Sequence, residues 1–210
     1  MAIMVFEEGM IRLAAYHPLA LLAALCAIAA SFFAHEFAHK ATALRYGFPA
    51  EFRIDRIGLL LSLLLSVLPG MIVFAPGAVV VAVHRPMYRR EELAISAAGV
   101  TVNVVLAGLC LALTPFLAAL GVGIWAYVPY WVGWFNAFIA MFNLIPFGAL
   151  DGFKILVAGG LGSYAWITGA AGIAFISYLM RLHTLMLGIA VGLVVFALAV
   201  LFAFEKGIVW

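Results

Sequence analysis

The run PLALLAALCAIAASFFAHEFAHKATALR, residues 18–45, decides the fold. Pro18 suits the first turn of a helix, where its missing N–H is not needed. Tyr46-Gly47-Phe48-Pro49 stops that helix, since Gly and Pro end helical runs. About 28 residues at 1.5 Å each reach roughly 42 Å, more than the ~30 Å of bilayer hydrocarbon. No charged residue lies between Pro18 and Ala34. The spacing predicts a membrane-spanning helix. His35, Glu36 and His39 all fall in its second half.

Composition agrees with that reading. The chain has 210 residues, 68% of them hydrophobic and only 10% charged. A soluble domain carries about 25% charged residues. The mean hydropathy of +1.24 places the chain among integral membrane proteins. A formal net charge of +2 is too small to suggest a nucleic-acid partner. Cys26 and Cys110 lie in apolar stretches and read as small buried hydrophobes, not as a disulfide or thiolate metal site. The N-terminus lacks the basic start and small-residue cleavage site of a signal peptide. With no repeat or hydrophilic linker visible, residues 1–210 read as one membrane-embedded domain.

Outward from the first long helix, the elements follow in order. Residues 1–16 suit a short interfacial helix. Residues 51–56 alternate charged and apolar, a strand pattern. Residues 58–68 are apolar but too short to cross, so a re-entrant helix is expected. Residues 71–83, broken at Ala75-Pro76-Gly77, suit a hairpin or two short strands. Glu91-Glu92 open a helix running to about Leu120, with a bend or end expected at Thr114-Pro115. Trp125, Tyr127, Tyr130, Trp131 and Trp134 suit an interfacial aromatic belt. A further helix runs from about Pro129 to Asn143, and Lys154 falls in a short helix or loop. Two accessory apolar segments follow at about 163–180 and 184–205, the second with Gly188 and Gly192 at helix-packing spacing. The fold class is an all-α polytopic membrane protein with about five transmembrane helices. A short re-entrant helix and a small membrane-associated β-sheet or hairpin complete it.

Charge fixes an expected orientation. Lys40, Arg45, Arg53, Arg56, Arg85, Arg89, Arg90, Lys154 and Lys206 share one side, nine of the eleven basic residues. The positive-inside rule makes that side cytoplasmic.

His35 and His39 stand four apart, so both imidazoles project from one helix face. They can bind one zinc ion, with Glu36 on the neighbouring face beside a zinc-bound water. Ionisable groups within a spanning helix are costly, and the default reading is functional. His39 lies six residues and His35 ten before Arg45, roughly 9–15 Å inward from the helix end. A catalytic zinc needs a third protein ligand and an open position. His17 lies about 27 Å from His35 at helical rise, His183 falls on the opposite side, and His84 sits in the basic loop. Asp151 is the one carboxylate between Glu92 and Glu205, and it follows a Pro/Gly break. It is the expected third ligand.

His35-Glu36-Phe37-Ala38-His39, together with Asn143-Leu144-Ile145-Pro146 ending in Leu150-Asp151-Gly152, resembles the site-2 protease family of intramembrane zinc metalloproteases. Its motifs are HExxH and NxxPxxxLDG, on two different transmembrane helices. Ala98-Gly99-Val100-Thr101-Val102-Asn103 is similar to the family's GPxxN stretch, with Val100 where proline is usual. The resemblance covers about residues 18–158, the catalytic core. It implies one catalytic Zn2+ held by His35, His39 and Asp151, with Glu36 as general base and Asn143 as a donor to the oxyanion. It implies substrates that are transmembrane segments of other proteins, cut in a prokaryotic cell membrane with the active site nearer the cytoplasmic face. The short 121–128 link leaves no room for a PDZ domain, so a minimal member is expected. Competing readings are a membrane metal transporter or receptor using the same histidines, and a catalytically inactive homologue.

Overall fold

The computed structural model describes residues 15–54, 77–148 and 150–180. The interfacial helix over 1–16 (apart from residues 15 and 16), the re-entrant run 58–68, the first half of 71–83 and the segment 184–205 lie outside them.

Helix α1, Pro18–Arg45, has the bounds that Pro18 and Gly47 predict. Its C-terminus is closed by backbone geometry. Phe48 N–H reaches Ala43 O at 2.9 Å and Gly47 N–H reaches Leu44 O at 2.9 Å. Gly47 takes φ +81°, the left-handed conformation that glycine adopts without a Cβ penalty. This is a Schellman cap, and its hydrophobic contact is the burial of Phe48 with Ala43, Ala50 and Ile95. The turn sends the chain into strand β1, Ala50–Ile54, which pairs antiparallel with β2, Gly77–Val81. The strand expected within 71–83 is therefore β2, and among the described residues its partner is β1.

Helix α2, Arg89–Ala119, is anchored to the end of α1 by Arg85. The guanidinium makes two hydrogen bonds to Glu91, at 2.8 and 3.0 Å, and one to Tyr46 O at 3.0 Å. It lies 4.3 Å from the centroid of the Phe48 ring. Glu91 also accepts the Tyr88 N–H at 2.9 Å, satisfying a donor that the helix start leaves open. The helix continues through Pro115 to Ala119, so Thr114-Pro115 does not end it.

A 3-10 turn, Gly123–Ala126, leads into α3, Tyr127–Asn143. This helix packs against α1, α2 and the last helix. That position corrects the aromatic-belt expectation. Trp125 and Tyr127 are exposed, but Trp131 and Trp134 are buried against Ala20, Ala107, Leu111 and Tyr178. Positions 131, 134, 135 and 138 share a helix face, and here that face meets protein.

Helix α4, Asp151–Met180, breaks at Gly160, where φ 71° and ψ 179° are not helical. The arm before the break is short, roughly 13 Å, and the arm after it spans about 30 Å. Ile155 and Ala158 from one arm and Ile167 and Ala171 from the other enter the same apolar cluster, around Leu93, Val100 and Leu144. Gly152 lets the start of α4 meet the end of α3, since a Cβ there would fall 2.2 Å from Leu144 O.

The described residues are mostly helical, with a small two-stranded sheet. Three of their helices are long and apolar enough to cross a membrane: α1, α2 and 151–179 of α4. Helix α3, with 17 residues, is shorter than those three. Polarity is inverted relative to a soluble protein. Leu19, Leu22, Phe33, Phe37, Leu109, Phe116, Leu161 and Trp166 are exposed, whereas Ser31, His35, Asn103 and Asn136 are buried. Such an outer surface suits lipid.

Candidate metal centre

Helix α1 buries Ser31, His35, His39 and Ala43, one residue per turn on a single face. That face meets α2. His39 Nδ1 lies 2.7 Å from Ile95 O. A backbone carbonyl can only accept, so Nδ1 carries the proton and Nε2 presents a lone pair inward. His35 Nδ1 lies 2.5 Å from Asn103 Oδ1. Its Nε2 faces inward as well.

The third member arrives from α4. Asp151 stands at the first position of that helix, directly after the Pro146–Leu150 break. Its Oδ2 lies 3.0 Å from His39 Nε2 and 3.3 Å from His35 Nε2, and the two Nε2 atoms are 3.1 Å apart. All three residues are buried. The other carboxylate oxygen has Lys154 Nζ at 3.3 Å.

This donor set fits a zinc ion. With their Nδ1 atoms protonated, the two imidazoles and the carboxylate oxygen turn three lone-pair atoms toward one buried point, which suits a cation between them. Ligands about 2.05 Å from a tetrahedral ion sit roughly 3.3 Å from each other, close to the observed triangle. Room is left on the α2 side by Gly99. A Cβ there would fall 2.4 Å from His39 Nε2 and 2.6 Å from His35 Nε2.

Level along the helices follows from their ends. His39 and Ile95 are hydrogen-bonded, so they lie at one depth. Each is six residues from a basic helix end, Arg45 on α1 and Arg89 on α2. The centre therefore lies roughly 9 Å inside both ends.

Glu36 is half-buried beside the centre. Its Oε2 accepts the Val79 N–H of β2 at 2.9 Å. Ala82 N–H donates to Pro49 O at 2.8 Å, which fixes the alternation of the ladder. By that alternation the Val79 N–H points away from β1, toward the outer edge of the sheet. Nothing else among the described residues pairs with that edge. Asn143, the last residue of α3, is half-buried and donates one amide hydrogen to Ile139 O at 3.1 Å. The structure therefore brings His35, His39 and Asp151 together and sets Glu36 next to them. Asn143 keeps its recorded hydrogen bond within its own helix. His17 precedes α1, and His84 packs its ring against Phe48 away from the centre. His183 lies outside the described residues.

Sequence reasoning missed the partners of the two histidines. Asn136 was not singled out, although an amide in the middle of an apolar helix is itself a signal. The Ile95 carbonyl and the Val79 amide carry no side-chain signature and could not be read from residue type.

One curated protein resembles the chain over most of its length. It is an archaeal protein of Methanocaldococcus jannaschii named "Putative zinc metalloprotease", 32% identical over 168 residues, covering 77% of this chain and 82% of its own. No family model matches the chain. No solved structure matches it either. With a buried His-His-Asp group in place and a relative of that identity and coverage, the chain belongs to the zinc metalloprotease family that the archaeal protein represents.

Proposed function

We propose that this protein is an intramembrane zinc endopeptidase of the site-2 protease type, acting on transmembrane segments of other proteins. The observation that carries the reading is the triangle of His35 Nε2, His39 Nε2 and Asp151 Oδ2, buried and roughly 9 Å inside a membrane helix. A soluble peptidase has no need of that placement, whereas a peptide bond within the bilayer can be reached only there. The orientation we propose puts the basic helix ends, and so the centre, nearer the cytoplasmic face of a prokaryotic cell membrane.

His35, His39 and Asp151 would hold one zinc ion. When bound, zinc supplies Lewis acidity, acidifying a water and polarising the scissile carbonyl. Glu36 accepts the proton of the attacking water and delivers it to the leaving amine. Asn143 has a second amide hydrogen beyond the one given to Ile139, and this hydrogen donates to the developing oxyanion. The substrate must be unwound, because a helical backbone shields its own carbonyls. An extended segment lying along the outer edge of β2 would run past Glu36.

Purified protein incubated with single-pass transmembrane substrates tests this function. Cleavage is expected with zinc and its loss with a zinc chelator, restored by zinc added back. Cleavage that survives complete removal of the metal would sink the reading. The edge has its own test. Val81→Pro removes an N–H that by the same alternation points away from β1 and, unlike that of Val79, is not the one Glu36 accepts, so the sheet and Glu36 both tolerate it. Cleavage should fall at least ~10-fold with zinc content unchanged if the edge takes substrate. Undiminished cleavage would show that the strands only seal the bundle.

A further inference from the structure

The buried polar groups around His35 form a directed chain. His35 Nδ1 meets Asn103 Oδ1 on α2. Asn103 Nδ2 donates to Asn136 Oδ1 on α3 at 2.8 Å. Asn136 Nδ2 donates to Ser31 Oγ at 2.9 Å and to Val132 O at 2.8 Å. Ser31 Oγ donates to Ala27 O at 2.7 Å. The path leaves α1 at His35 and returns to α1 one turn earlier. Asn103 and Asn136 have no solvent exposure at all.

Its direction is set by groups that cannot reverse. Val132 O is a backbone carbonyl and only accepts, so the Asn136 amide nitrogen must face it. The Asn136 oxygen then faces Asn103, which must present its nitrogen there. The Asn103 oxygen is left facing His35. His35 therefore carries its proton on Nδ1, and its Nε2 lone pair points at the centre. Turning either amide over would set donor against donor and acceptor against acceptor, in a place with no water to intervene.

We propose that Asn103 and Asn136 are positioning residues for the metal centre, fixing the tautomer and ring orientation of His35 through the Val132 carbonyl. This rests on the reading of His35 as a metal-binding residue. Asn103 acts directly on the ring, and Asn136 acts through Asn103, without approaching the centre. Partners of this kind typically alter metal affinity 10–100-fold.

The test measures zinc affinity of the purified full chain by competition with a chromophoric chelator, with unfolding midpoints of the zinc-free proteins alongside. Asn103→Leu and Asn136→Leu should each weaken zinc binding 10–100-fold. Asn103→Asp keeps an oxygen for the His35 N–H but loses the donation to Asn136. It should lower the zinc-free midpoint yet hold zinc within about 3-fold of wild type. A merely structural role predicts no such rescue. Wild-type affinity in Asn103→Leu, or equal impairment of Asn103→Asp and Asn103→Leu, overturns the proposal. Should Asn136→Leu fail to fold, the Asn103 pair decides at a single position. If wild type binds zinc tightly and the variants match it, the relay alone is lost. If wild type binds no zinc, the metal reading falls with it.

Discussion

Glu36→Gln is expected to abolish peptide cleavage while leaving zinc in place. Glu36 is not one of the three converging donors, so its charge is not needed to hold the metal. Gln has the same shape, and its amide oxygen can still accept the Val79 N–H that Glu36 accepts at 2.9 Å. Fold and strand position should therefore survive. What disappears is the proton acceptor. General acid–base groups contribute about 10²–10⁴-fold, roughly 3–5 kcal/mol of barrier. The check is cleavage of a transmembrane substrate with zinc content measured on the same sample. A metal transporter or receptor built on the same histidines would tolerate this change. Retention of more than a tenth of wild-type cleavage would remove Glu36 from the chemistry.

Gly99→Ala should separate stability from function. Alanine in a helix interior is favoured over glycine by about 0.5–1 kcal/mol, so α2 taken alone should gain. The added methyl, however, would lie 2.4 Å from His39 Nε2 and 2.6 Å from His35 Nε2 and Cε1. These are ring atoms held from behind by Ile95 O and Asn103 Oδ1, and they cannot simply swing away. Either the rings or the helix must move. Displacements near 1 Å at reacting groups can lower rate by about 10²-fold. Loss of cleavage at least that large is expected, together with weakened zinc binding and an unfolding midpoint at or near wild type. Normal zinc affinity in this variant would mean that α2 does not wall the centre as described.

Much of this was legible because it is local. Pro18 and Gly47 bound α1, and the four-residue spacing of His35 and His39 needs only helical geometry. Asp151 could be picked out because carboxylates are so scarce along the second half of the chain. What could not be read depends on how helices rotate against each other. Trp131 and Trp134 look the same in sequence whether they face an interface or a core, and packing around α3 decides it. Asn103 stood out from its sequence stretch, but its contact with His35 spans 68 positions. The same holds for Asn136, whose partner Ser31 is 105 positions away.

The closed path from His35 through Asn103 and Asn136 to Ser31 also bears on traffic. It stitches α1, α2 and α3 together along one seam. Parting that seam in hydrocarbon would strand each polar group without water, at several kcal/mol apiece. A substrate or a water molecule therefore has no inexpensive route between these three helices. Among the described residues, that polar seam does not extend to the side where Glu36 accepts the Val79 N–H at the outer edge of β2. On the proposed function, a peptide laid along that edge would run beside Glu36.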